Sequence, residues 1–262
     1  MATDKMLSRK DGPIGSMIFN NPERHNATSL EMWQAATDIL KDFASDPAIR
    51  VVVLSGAGGK AFVSGADISK FESERATEEA VKQYGKISDR MNTTLHNMPK
   101  PTIAMIQGWC IGGGVAVAIT CDLRVCSEES KFGVPAAKLG LGYGMKGIRR
   151  LASLVGPAAT KEIFFTARHY TAQEALRMGL VNQVVPAGEL SGFVEDYAKT
   201  IAANAPMTVN SVKQIVGELL KDPDARDLEL CDRLVAECFA SADYIEGRRA
   251  FMEKRKPNFI GR

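Results

Sequence analysis

Two glycine-bearing stretches hold the residues best suited to chemistry. One is Ala61-Phe62-Val63-Ser64-Gly65-Ala66-Asp67-Ile68. The other is Gly108-Trp109-Cys110-Ile111-Gly112-Gly113-Gly114, which runs into the apolar, helix-like stretch from Val115 to Thr120. Three successive glycines at a helix start allow close backbone approach by a ligand. They also leave N–H groups unpaired, with the positive end of the helix dipole behind them. Donors of that kind suit an oxygen that gains negative charge. A tight strand-to-helix turn, or close packing of helix on sheet, would use the same glycines, and the glycines alone do not separate these readings. A dinucleotide site fits poorly, because the glycines are contiguous and no acidic residue follows in a clear βαβ unit.

The elements that must carry these turns alternate. Ile14 to Phe19 reads as a strand ending at Asn20-Asn21-Pro22. Thr28 with Glu31 makes a capping-box pattern, after which Met32, Ala36, Ile39, Leu40 and Phe43 fall on one helix face. Arg50 to Leu54 and Pro101 to Gln107 read as buried strands closed by glycine or serine, and Leu123 to Cys126 as a short one. Thr171 with Glu174 caps a further helix that stops at Gly179, and Val181 to Val185 resumes as strand. Beyond about residue 200 the pattern is helical only. Leu228, Cys231, Val235, Cys238 and Phe239 share a face, and Asp243 and Glu246 suggest a fresh helix start. The expectation is an α/β core over residues 1–200 followed by a helical region over 201–262.

Composition narrows the function classes. A chain of 262 residues, 45% hydrophobic, can bury a sizeable core. A net charge of +2 with no basic face or tail argues against nucleic acid. The run Lys254-Arg255-Lys256 reads either as a solvated helix end or as a contact to phosphate. Five cysteines without a C-x-x-C pair suggest reduced, buried thiols in a cytoplasmic protein. His25, His96 and His169 do not sit at metal-ligand spacing, so no metal is expected. No leader pattern opens the chain and no apolar run approaches a membrane span.

Taken together the segments are far more specific. Asn21-Pro22-Glu23-Arg24-His25-Asn26-Ala27 is followed by the two glycine turns, by Cys121-Asp122-Leu123-Arg124 and by Phe132-Gly133-Val134-Pro135. Ala175, Gly179-Leu180-Val181-Asn182, Val185-Pro186 and Phe251-Met252-Glu253-Lys254-Arg255-Lys256-Pro257 complete the series. In order and spacing, from about residue 10 to the C-terminus, the chain resembles the crotonase (enoyl-CoA hydratase/isomerase) superfamily. The resemblance implies an α/β spiral of β-β-α turns with a helical C-terminal region that drives assembly into a trimer or a dimer of trimers. It implies an acyl-CoA thioester as substrate, with coenzyme A entering as part of that substrate and no other cofactor. Carried to matching positions, the oxyanion hole consists of the backbone N–H groups of Ala66 and Gly113. A thioester oxygen that becomes enolate-like would be stabilised there by roughly 3–4 kcal/mol per donor. Coenzyme A contacts fall on Arg24, His25 and Ala27, and on Gly65 to Ile68 with Asp67 capping the turn that follows it. Ser64, Gly112, Pro135 and Leu139 line the same site. Phe251 and Lys254 reach the ligand of a neighbouring subunit, while Asp122 and Arg124 are structural.

The chain departs from the family where a hydratase needs it most. Two glutamates there position and activate water. The first follows the triple glycine by two residues, which is Ala116 here. The second follows the proline of Phe-Gly-x-Pro, which is Ala136 here. Alanine neither accepts a proton nor holds a water, so ordinary syn hydration is not expected although the family name would suggest it. Tyr143, in the loop Leu139-Gly140-Leu141-Gly142-Tyr143-Gly144, is a candidate proton donor or orienting group; it also fits as a tyrosine packed at a glycine-rich turn. Glu72, Glu74 and Glu78 read as solvated, with a distant base among them as the sharper alternative. Decarboxylation, isomerisation, thioester hydrolysis and lyase chemistry all remain, as do a noncatalytic acyl-CoA binder or assembly partner and a conventional hydratase whose carboxylate comes from another segment.

Overall fold

The computed structural model describes residues 3–67, 70 and 76–262. Two sheets are built by one repeated move. Strand β1 (Met6–Asp11) pairs antiparallel with β2 (Ile14–Phe19), and helix α1 (Leu30–Ser45) follows. Three turns of chain then each give a strand to one sheet, a short strand to the other, and a helical segment. They are β3 (Val51–Gly56) with β4 (Ala61–Val63) and α2 (Glu78–His96); β5 (Thr102–Ile106) with β6 (Trp109–Ile111) and α3 (Gly113–Ala118); and β7 (Leu123–Ser127) with β8 (Lys131–Gly133) and α4 (Met145–Thr166). The larger sheet has the order β1-β2-β3-β5-β7-β10, with β10 at Gln183–Val185. The smaller has the order β4-β6-β8-β9, with β9 at Tyr170–Thr171. From β2 onward every pair is parallel except β8 with β9. The chain is therefore wound as an α/β spiral, and equivalent strands stack on one another.

Side-chain alternation divides the core. Val52 and Leu54 face the large cluster between the sheets, with Phe19, Phe62, Cys110 and Phe132. Val51 and Val53 face the other way, onto Leu190, Val194, Ala198 and Ala202. Those four belong to α6 (Leu190–Ala202), which follows α5 (Ala172–Arg177). Burial on both faces is why β3 reads as an unbroken β-branched run, each such side chain contributing about 1.5–3 kcal/mol of transfer free energy. Helices α1 and α2 pack beside the sheets, joined by the Trp33 indole N–H donating to the Tyr84 hydroxyl at 2.9 Å.

After β10 only helices follow: α6, α7 (Pro206–Leu219), α8 (Leu228–Ala240) and α9 (Ala242–Met252). The tail folds back on them. The buried Asp243 carboxylate accepts the N–H groups of Ile260 and Gly261 at 2.7 and 2.9 Å. Arg50 donates to the carbonyls of Ala202 and Phe259 at 3.0 and 2.6 Å.

Two element expectations need correction. Thr28 does not cap α1: Ser29 is the N-cap residue, and the Thr28 hydroxyl is spent on Gly65. The strand expected from Val181 begins at Gln183, because Val181 is drawn into the large core cluster. The Thr171–Glu174 capping box forms in full.

Candidate active site

The site grows from the loop between β2 and α1. Pro22–Arg24 make one 3-10 turn, and His25 and Asn26 then take left-handed backbone at φ 50° and 56°. That reversal carries Ala27 and Thr28 inward alongside the first glycine turn. The Ser64 N–H donates to the His25 carbonyl at 3.2 Å, and the Ser64 hydroxyl to the Arg24 carbonyl at 3.4 Å. The Thr28 N–H donates to the Gly65 carbonyl at 2.8 Å, and the Asp67 N–H to the Thr28 carbonyl at 2.9 Å, so Thr28 and Ala66 form a parallel bridge. Arg24, His25, Ala27, Ser64, Gly65, Ala66 and Asp67 thus belong to one neighbourhood. The Lys70 N–H closes a turn onto the Asp67 carbonyl at 3.0 Å. Ile68, Glu72 and Glu74 lie outside the described residues, while Glu78 is exposed and paired with Lys82.

The second turn meets the first. Gly112 sits at φ 54°, ψ −107° and donates its N–H to the Gly133 carbonyl at 2.8 Å. The triple glycine divides its work. A Cβ on Gly114 would lie 2.1 Å from the Val63 carbonyl oxygen, so Gly114 is required for packing of α3 on β4. A Cβ on Gly113 would lie 3.8 Å from the Gly65 Cα, ordinary van der Waals contact, so the two glycine turns meet at these residues. The packing reading of the glycines therefore holds at Gly114, while Gly113 meets only the backbone of Gly65. Gly113 is the first residue of α3, so its N–H has no intrahelical partner. Among the described residues, neither the Gly113 N–H nor the Ala66 N–H donates to a protein acceptor.

The third wall follows β8. Pro135–Leu139 form a 3-10 turn in which Ala136 is buried and Leu139 exposed. Tyr143 comes back over the second turn: its hydroxyl would be 3.9 Å from a Cβ on Gly112, and its ring stands edge-on to Phe164 at 5.0 Å. Half-buried Ala116 lies one helical turn inside Gly112. Its N–H donates to the Gly112 carbonyl at 3.1 Å, and its own carbonyl accepts the Thr120 hydroxyl at 2.7 Å. Arg150 in turn donates to that hydroxyl at 2.8 Å.

Phe251 and Lys254 are elsewhere. Both are exposed at the end of α9, and neither has a described hydrogen bond or ring contact with the glycine turns of this chain. Of the basic run, Arg255 is committed to Glu246 and Glu253, at 2.6 Å each. Asp122 accepts from the Thr102 N–H and hydroxyl and pairs with Lys213. Arg124 is buried and donates to the carbonyls of Cys121 and Leu180. Cys110, Cys121 and Cys126 are buried thiols, and burial pushes Cys121 and Cys126 up to about 12.

Sequence reasoning missed Asn26 and Thr28. Asn26 is fully buried, and its side chain accepts from the Asn21 N–H and donates to the carbonyls of Ala57 and Ala61. The available signal was an asparagine, tolerant of left-handed backbone, just ahead of small residues.

A family model described as enoyl-CoA hydratase/isomerase matches residues 9–262. The chain is 33% identical to the short-chain-enoyl-CoA hydratase of Clostridium acetobutylicum, over 98% of this chain and 97% of that protein. It is also 33% identical to the crotonyl-CoA hydratase of Syntrophomonas wolfei, over 100% of both. A crystal structure of an enoyl-CoA hydratase/isomerase family protein from Hyphomonas neptunium superposes with a TM-score of 0.93 at 37% identity, covering 98% of each chain.

Proposed function

The chain belongs to the enoyl-CoA hydratase/isomerase (crotonase) family, and from that premise we propose that it binds an acyl-CoA thioester and stabilises negative charge on the thioester oxygen. The Ala66 and Gly113 N–H groups are the donors. What supports this most is the seating of Gly113 against Gly65, with neither the Gly113 nor the Ala66 N–H donating to an acceptor among the described residues. Preorganised donors of this kind need no reorganisation as charge develops on the oxygen.

The reaction is not paired-carboxylate hydration. Ala116 and Ala136 stand where the resemblance places the two glutamates, and their methyl groups cannot activate water. The Tyr143 hydroxyl, beside Gly112, is the proton donor or orienting group for the acyl portion. Arg24, His25 and Ala27 hold the coenzyme A portion with the Gly65–Ile68 segment. Gly112, Pro135, Leu139 and the two alanines bound the acyl side. Phe251 and Lys254 act on the site of a neighbouring copy in a homotrimer or dimer of trimers, in the cytoplasm.

Incubation with crotonyl-CoA, following loss of the enoyl-thioester absorbance and identifying product by mass, tests the reading. Binding by calorimetry without rapid gain of water is expected, together with turnover of another thioester from a malonyl-type, branched and aromatic panel. Rapid hydration would mean that another group replaces the two carboxylates. Tight binding with no turnover across the panel would favour an acyl-CoA binder without catalysis, the second reading that the two alanines motivate.

A further inference from the structure

A peptide group is planar and trans, so its C=O and N–H point in opposite directions. Whatever grips the Gly65 carbonyl therefore aims the Ala66 N–H, which belongs to the same peptide. That carbonyl accepts two hydrogen bonds, and both come from one residue: the Thr28 N–H at 2.8 Å and the Thr28 hydroxyl at 3.1 Å. Both acceptor positions of the carbonyl are thereby filled. Thr28 is 1% exposed, and its own carbonyl takes the Asp67 N–H at 2.9 Å, which pins the far side of Ala66 as well. Gly65 needs such a grip, because its φ of 113° lies where only glycine moves freely. The opposing peptide has less. The Gly112 carbonyl receives only the first helical bond, from the Ala116 N–H at 3.1 Å, among the described residues.

We propose that Thr28 is a positioning residue, whose hydroxyl and N–H together orient the Gly65–Ala66 peptide and strengthen the Ala66 N–H as a donor to the thioester oxygen. Hydrogen bonds to a carbonyl polarise the whole amide, so the N–H trans to a doubly bonded carbonyl is the stronger donor. The inference rests on the oxyanion reading above and adds a side chain to what that reading had assigned to backbone alone. Thr28 lies one residue ahead of the N-cap Ser29, and its hydroxyl donates to the Gly65 carbonyl.

Thr28→Val keeps the shape and the backbone N–H but removes the hydroxyl. The Gly65 carbonyl still has one donor, so the fold should persist. The readout is a conjugated dienoyl-CoA thioester, whose absorption moves to longer wavelength when its carbonyl is polarised. Bound to the wild-type protein it should shift red. In Thr28→Val the shift should shrink and kcat on any substrate turned over should fall about three- to tenfold, with the dissociation constant within about twofold of wild type. Thr28→Ser should restore both. A red shift and kcat unchanged in Thr28→Val would overturn the proposal, as would a loss that serine does not rescue. If the valine variant does not fold, Thr28→Ala read against Thr28→Ser gives the same comparison. A wild-type protein that binds the probe without any shift would overturn the oxyanion reading itself, and the wild-type control keeps that failure distinct from failure of Thr28.

Discussion

Asn26 makes three side-chain hydrogen bonds from a backbone conformation that few side chains tolerate. It is 0% exposed at φ 56°, and its amide joins Asn21 to the carbonyls of Ala57 and Ala61 at 2.7–3.0 Å. Asn26→Ala would leave the half-buried Asn21 N–H and the carbonyls of Ala57 and Ala61 short of a partner and would force alanine into left-handed backbone. A loss of roughly 2–4 kcal/mol in urea denaturation is expected. A loss under about 0.5 kcal/mol would mean that the loop relaxes without it. Legibility at this scale follows a simple division. Roles proposed for residues with little or no side chain, such as Gly113 and Ala116, are readable from sequence because their type is the message. Asn26 and Thr28 act through partners 35 and 37 positions away, and no local pattern records a contact of that range. Thr28 was misread for that reason, since its spacing to Glu31 fits a cap equally well.

Elements were legible where burial imposes a period. β2 and the apolar run of β3 follow from alternation or unbroken β-branching, and α1 from its buried stripe. The strands of the smaller sheet were not, because three residues such as Ala61–Val63 or Trp109–Ile111 cannot display a period of two. Yet those strands deliver the two glycine turns. β4 and α3 are held at contact by Gly114, and Gly114→Ala would place a Cβ 2.1 Å from the Val63 carbonyl oxygen. Backbone must then shift, at about 1–3 kcal/mol or more. The separation of the two turns should change with it, so the dienoyl-CoA red shift should be lost while the circular dichroism spectrum is kept. The C-terminal tail makes a prediction in pH. The Arg255 guanidinium first, and the Asn258 N–H second, hold the Glu246 carboxyl down at about 2 from an ordinary 4.5. A depressed carboxyl stabilises the folded tail above its unfolded value and loses that contribution as pH falls through the folded one. Amide exchange at Asn258 should therefore accelerate, relative to the core, between about pH 4.5 and 2. In Glu246→Gln the fast exchange should already be present at pH 7.

The whole molecule leaves an apolar face uncovered, and it lies on the helices that follow the spiral. Val212, Val216 and Leu219 of α7, Val235 and Phe239 of α8, and Phe251 and Met252 of α9 are exposed, Phe239 at 62% and Phe251 at 82%. Several of them line a groove of about 930 Å³ with Tyr244 and Phe259. A contiguous apolar surface of this kind is expected to be buried against something. In the proposed trimer it is buried against other copies, which would also bring Phe251 and Lys254, remote from this chain's own glycine turns, to a neighbour's coenzyme A. The two statements can be tested together. Light scattering after gel filtration should give a trimer or its multiple for the wild type. Phe239→Glu, which places a charge on the face without touching the core, should lower that mass towards the monomer. Calorimetry on the same variant should show weaker acyl-CoA binding, because a dissociated chain lacks the neighbour's lysine. The ionic-strength dependence of binding should also be smaller, since one phosphate contact has gone. A monomeric variant that binds acyl-CoA as tightly as wild type would keep the apolar face as an assembly surface while removing Phe251 and Lys254 from the site. A variant that stays trimeric would place the subunit contact elsewhere on the chain.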